Sequence, residues 1–151
     1  MKIKKETIFK IIKEEIEREL SKEEKHKIVS FDFDDTLTFA PFDPEEEDFV
    51  YKGPHKEMLN KIRGYIEDPE VVVYIVTSRK QGGMGEVKEF VEKYKLKVDG
   101  IYYTDGDWKA PTLKDLGVTL HHDDDSEENK RAEAAGIQTV PSDPYGDYGT
   151  F

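Results

Sequence analysis

Residues 71–79, VVVYIVTSR, decide the fold. Val71 to Val76 is an unbroken apolar run, mostly β-branched, that ends on hydroxyls and a charge. A strand with water on one face alternates apolar and polar side chains. An unbroken run of strand length belongs to a strand covered on both faces, as parallel sheets require. It is the longest apolar run in the chain and falls far short of the ~20 residues of a membrane span.

Working outward, short apolar runs alternate with helical periodicity. Upstream, Ile28–Phe33 reads as a strand and Pro54–Ile66 as a helix with Met58, Leu59, Ile62 and Ile66 inward. Downstream, Gly85–Tyr94 reads as a helix, Val98–Thr104 as a strand, and Pro111 as the first-turn proline of a helix reaching Leu116. Val118–His122 is a further strand. Ser126 can cap a helix running to Ala135 and stopping at Gly136, and Gln138–Val140 is a last short strand. Strand–helix alternation implies parallel strands joined by right-handed crossovers. The expected fold is therefore α/β: a three-layer, Rossmann-like domain with a mostly parallel five-stranded sheet over residues 28–151. Residues 1–27 form a separate appendage, an amphipathic helix with Ile8, Ile12, Ile16 and Leu20 on one stripe. It either packs on its own domain or pairs two copies as a homodimer.

Composition narrows the function. The 151 residues carry 34 acidic and 23 basic side chains, a net charge of −11. Such an excess repels phosphate backbones and anionic lipid, which disfavours bulk nucleic-acid and membrane-surface binding. With no cysteine, disulfide scaffolds, thiolate metal sites and cysteine nucleophiles are excluded. MKIKKETIFK has no signal-like apolar run, so a cytoplasmic location is expected. The acidic stretch Asp43–Asp48 reads as a solvated loop.

In an open parallel sheet, ligands bind beyond the carboxyl ends of the strands. Those ends carry Asp32, Asp34, Asp35 and Thr36; then Thr77, Ser78 and Arg79; then Asp105 and Asp107 with Lys109 beyond; then Asp123, Asp124 and Asp125. Carboxylates so gathered raise one another's pKa unless a cation sits among them, and oxygen-only ligation suits Mg²⁺.

FDFDDTLT (31–38), following an apolar strand, resembles the first motif, D-x-D-x-T, of the haloacid dehalogenase-like (HAD) superfamily. YIVTSR (74–79) is similar to its second motif, Lys109 stands where the third motif's lysine lies, and HHDDDSEENKRAEAAGI (121–137) resembles the fourth. The resemblance spans residues 28 to 140 and implies a Mg²⁺-dependent phosphatase acting on a phosphorylated substrate. By that resemblance Asp32 is the nucleophile, forming an aspartyl-phosphate, and Asp34 the general acid and base. Thr77 holds a phosphoryl oxygen, and Lys109 neutralises the phosphoryl group. Mg²⁺ binds Asp32, the main-chain carbonyl of Asp34, and Asp124 or Asp123. Thr36, Ser78 and Arg79 would line the substrate side; Arg79 either clamps a second anionic group or makes a surface ion pair. Lys114 is a rival to Lys109. No cap domain fits between the motifs, so the resemblance is to a capless member. Phosphotransfer to another acceptor and a non-catalytic binding role are the alternatives.

Other residues read as structural. His121 and His122 alternate across a strand, so one of them is expected to be buried. Tyr102, Tyr103 and Trp108 read as core.

Overall fold

A computed structural model describes residues 27–39, 42–49, 52–80 and 85–142. The appendage helix expected within residues 1–27 and the homodimer through it lie outside them, apart from Lys27. Five parallel strands form one sheet in the order β7-β6-β1-β8-β9. They are β1 (Ile28–Phe31), β6 (Val72–Thr77), β7 (Gly100–Tyr103), β8 (Leu120–Asp123) and β9 (Gln138–Pro141). Four helices intervene: α1 (Lys56–Glu67), α2 (Gly85–Lys93), α3 (Ala110–Asp115) and α4 (Ser126–Ala134). The α/β, Rossmann-like expectation therefore holds.

Strand parity sorts side chains to the two faces. Val29, Phe31, Val73 and Ile75 point one way and pack with Met58, Leu59 and Ile62 of α1 and Val87 and Phe90 of α2. On the other face Val76 packs with Leu113 of α3, Ala132 of α4, Val118 and Ile137. The Val71–Val76 run is unbroken because β6 feeds both clusters. Truncating a fully buried member such as Ile62 or Leu113 to alanine costs about 2–5 kcal/mol.

The first strand ends two residues earlier than its apolar pattern. Asp32 N still donates to His122 O at 2.8 Å, and the chain then turns on the Phe33 carbonyl, which accepts from Leu37 N at 3.0 Å and Thr38 N at 3.2 Å. Asp35 takes the left-handed conformation (φ 56) that this tight turn requires. The segment before α1, expected as plain loop, contains two short antiparallel ladders. β2 (Thr38–Phe39) pairs with β5 (Gly53–Pro54), and β3 (Phe42–Asp43) with β4 (Asp48–Phe49). Residues 44–47 at the hairpin tip are exposed, so their acids are solvated as composition suggested.

The cap of α4 is Asp125 rather than Ser126: its side chain accepts from Glu127 N at 2.8 Å and Glu128 N at 3.2 Å. Gly136, at φ 86, ends that helix as expected. Among the described residues no helix is long and apolar enough to cross a membrane.

Candidate active site

Strand ends and helix starts bring the acidic motifs together. β1 and β8 are adjacent and in register, Phe31 beside His122. Asp32 and Asp123, each a step beyond, therefore lie side by side. Lys109 sits just before α3, whose first residues are Ala110 and Pro111, and its side chain reaches back under the strand ends. Its Nζ donates to Asp32 Oδ1 at 2.9 Å and Asp123 Oδ2 at 2.7 Å, and lies 3.5 Å from Glu128 Oε2. All four groups are buried. Lys114, the rival, is exposed in the last turn of α3.

The three consecutive aspartates at the end of β8 make three different sets of contacts. Asp123 is fully enclosed: Oδ2 accepts from Lys109 and from His121 Nε2 at 2.8 Å, while Oδ1 accepts from Asp125 N at 3.0 Å. Asp125 caps α4. Asp124 turns toward Asp32, and Thr36 Oγ1 bridges the pair, 3.4 Å from Asp32 Oδ2 and 3.5 Å from Asp124 Oδ1. Thr36, placed on the substrate side by its motif, thus contacts the carboxylates themselves.

Asp32, Asp123 and Asp124 each offer an oxygen, and the three oxygens lie within 4.8 Å of one another. Such hard donors fit a small divalent cation. Burial, with the charges of the cluster itself, shifts its ionisation. Burial raises Asp32 well above the ordinary carboxyl range; Lys109 opposes this while Asp123 and Asp124 add to it. Burial likewise lifts Asp124 to about 6. Burial also pushes Asp123 up, but the hydrogen bond from His121 and the charge of Lys109 outweigh it and hold the group at about 2. Burial depresses Lys109, yet Asp32 and Asp123 together keep it above its ordinary value. The oxygens of Asp123 are already engaged by three donors, Lys109, His121 and the amide of Asp125.

On the solvent side, Asp34 is gripped by Arg79. Nε donates to Oδ2 at 2.8 Å and Nη2 to Oδ1 at 2.6 Å, while Arg79 Nη1 donates to Glu86 Oε2 at 2.7 Å. The guanidinium also lies over the Phe33 ring, 5.2 Å from its centroid. Arg79 thus makes an ion pair, directed at Asp34. Thr77 is fully buried at the end of β6, and its Oγ1 accepts from Arg79 N at 3.2 Å. Ser78 is exposed, and its carbonyl accepts from Gly106 N at 2.8 Å. Asp105 and Asp107 are exposed turn residues and do not join the cluster.

Several participants were not legible beforehand. Both His121 and His122 are buried, not one, because β8 lies inside the sheet and both its faces are covered. His122 stacks on Phe31 with centroids 3.9 Å apart and donates from Nδ1 to Ser30 O at 2.9 Å. His121, on the opposite face, has its Nδ1 2.6 Å from Ser30 Oγ. Burial keeps its imidazole below the ordinary histidine value. Glu128, whose carboxylate accepts from Lys109 N at 3.3 Å, was also missed. The only signal was its place three residues after a helix cap, where an acid normally serves its own helix. Trp108 and Tyr102, expected in the core, are surface residues: Trp108 is 46 % exposed beneath the Arg131 guanidinium, which lies 3.8 Å from its ring centroid.

No family model and no curated relative matches the chain. Among solved structures it is similar to a HAD family enzyme from Bacteroides thetaiotaomicron in complex with magnesium and inorganic phosphate. Identity is 13%, with a TM-score of 0.54, over 82% of this chain and 97% of that one. An aspartate-to-alanine variant of that enzyme, in the same complex, matches at 12% identity, TM-score 0.52 and the same coverage. A Porphyromonas gingivalis protein described as a predicted HAD-like family hydrolase matches at 12% identity and TM-score 0.53, over 82% of this chain and 94% of that one.

Proposed function

We propose that this chain, which has the fold of HAD-like enzymes, is itself a Mg²⁺-dependent phosphatase that hydrolyses a phosphate monoester through Asp32. One observation carries the reading: a buried ammonium, Lys109, contacts Asp32 at 2.9 Å while Asp124 offers an oxygen within metal-binding reach of the same carboxylate. A carboxylate held between a fixed cation and a hard-metal site is a nucleophile prepared for an anionic phosphoryl group. The bound phosphate and magnesium of the Bacteroides enzyme support the same chemistry.

Asp32, Asp124 and the main-chain carbonyl of Asp34 would hold Mg²⁺, with Asp123 beside them. Once bound, the ion neutralises carboxylate and phosphoryl charge. Asp32 attacks phosphorus, forming an O–P bond as the ester P–O bond breaks, and Asp34 protonates the departing alkoxide. Asp34 then takes a proton from water, which attacks the aspartyl-phosphate to release phosphate and restore Asp32. Lys109 and Thr77 hold phosphoryl oxygens through both displacements. Because Arg79 grips both oxygens of Asp34, proton transfer requires one of those contacts to loosen.

The test is phosphate release from a broad monoester panel with and without Mg²⁺. Mg²⁺-dependent turnover that disappears in Asp32→Asn is expected. A panel with no turnover, or an Asp32→Asn rate equal to wild type, overturns the reading.

A further inference from the structure

Beneath the site runs a chain of buried polar groups on the α3/α4 face of the sheet, and phosphoryl chemistry leaves half of it unused. Ser30, Asp32, His121 and Asp123 share that face by strand parity, and each is at most 5 % exposed. Ser30 Oγ lies 2.6 Å from His121 Nδ1, His121 Nε2 lies 2.8 Å from Asp123 Oδ2, and the same Oδ2 accepts from Lys109 Nζ at 2.7 Å. An ionised carboxylate only accepts, so Nε2 carries the imidazole proton. Nδ1 is then the acceptor, and Ser30 donates to it. Donor direction is thus fixed along the whole line from Ser30 to Asp123.

We propose that His121, oriented by Ser30, is a positioning residue for Lys109: it pins the Asp123 carboxylate so that Asp123 steers the lysine onto Asp32 instead of joining the metal ligands. The inference rests on the phosphatase reading above and assigns the pair a role within it. Asp123 is close enough to the other two carboxylates to be a third ligand, since the three oxygens lie within 4.8 Å. Rotation about its Cβ–Cγ bond is what would bring it there. The His121 bond to Oδ2 and the Asp125 N bond to Oδ1 oppose that rotation from both sides. Remove the first and the carboxylate can swing to the metal, leaving Lys109 with Asp32 and Glu128 and no fixed height above the sheet.

Three variants test this. His121→Leu removes both bonds, His121→Gln can keep both with an amide of similar reach, and Ser30→Ala frees only the ring. For each, kcat per folded molecule on p-nitrophenyl phosphate and the Mg²⁺ concentration for half-activation are measured. His121→Leu is expected to lower kcat by about 10- to 100-fold, as loss of outer partners does elsewhere. Its Mg²⁺ requirement should stay equal or fall. His121→Gln should recover most of the rate. An unchanged kcat per folded molecule overturns the proposal, and so does a rise in the Mg²⁺ requirement, which would make Asp123 a ligand. If His121→Leu does not fold, Ser30→Ala is expected to show a smaller loss of the same kind, and no loss in it overturns the proposal. A readout independent of turnover is long-range ¹⁵N NMR of the wild-type imidazole. A proton on Nε2 with a slowly exchanging Lys109 ammonium is expected, and a proton on Nδ1 overturns the donor order. Wild type without phosphatase activity would overturn the enzymatic reading, while the NMR result would still decide the geometry.

Discussion

Two ion-paired groups flank Asp32, and they differ in their relation to water. Below it, Lys109, Asp123 and His121 are sealed between β1, β8, α3 and α4, with side chains no more than 4 % exposed. Above it, Asp34, Arg79 and Glu86 sit at the rim, where Arg79 is 20 % and Asp34 41 % exposed. The contact distances are nearly the same. What differs is the cost of disturbing them: a buried charge stripped of its partner has no solvent to fall back on, whereas a rim pair exchanges protein for water at little net change. The lower cluster is thus built to stay fixed, and the upper one can release its carboxylate, as the proton transfer proposed for Asp34 would need.

The largest effect should come from the buried side. Lys109→Met leaves Asp32 and Asp123 facing each other unneutralised, and the expected loss is about 3–5 kcal/mol in a urea melt together with all turnover. A stability change below about 1 kcal/mol would erase the contrast between the two clusters. Arg79→Ala should do the reverse: stability should move by at most about 1 kcal/mol, because the pair is partly solvated. Its kcat should still fall, because Asp34 loses the group that holds it over the site. Equal stability losses in the two variants would break the comparison.

Acidity sharpens it further. Asp124, held at about 6 by burial against an ordinary value of 3.8, binds a proton more readily when folded than when unfolded. On its account the metal-free protein is stabilised below about 4 and loses that contribution as pH rises through about 6. As a ligand of Mg²⁺, Asp124 would exchange that proton for the ion. The rise in Tm on adding Mg²⁺ should therefore be larger at about pH 7.5 than at about pH 5, measured by thermal melts at fixed Mg²⁺. A shift independent of pH would mean that Asp124 is not a ligand. The smallest effect belongs to the Asp125 side chain, which serves only the helix: Asp125→Ala keeps the amide that holds Asp123, should cost about 1 kcal/mol and should leave the Mg²⁺ requirement unchanged.

Much of this was legible in the residues. Val71–Val76 announces a strand buried on both faces, and the order of strand ends along the sequence is enough to gather Asp32, Thr77, Lys109 and Asp124. What local pattern could not reveal was rotation about side-chain bonds and pairing across distant elements. Asp123, Asp124 and Asp125 are identical in type, and only the register of β8 against β1 separates a lysine partner, a metal candidate and a cap. Arg79 meets Asp34 because β6 lies beside β1, and Glu86 joins because the first turn of α2 lies above them. His121 carried no signal as a sequence neighbour of His122; its partners are Ser30, 91 positions away, and an aspartate two residues on. Trp108 looked apolar enough for the core, but it is covered on one face by Arg131 instead.

The place of β1 in the sheet has a kinetic corollary. It is the middle strand of five, and the amide of Asp32 adds a bond to β8 at 2.8 Å beyond the strand's own ladder. Edge strands β7 and β9 can fray in local openings without exposing it. Deuterium uptake at the Asp32 amide should therefore follow only the rare global unfolding event. The exchange clock of the proposed nucleophile's own backbone then reads the stability of the whole domain, and activity on heating should vanish in one step, not fade from the edges inward.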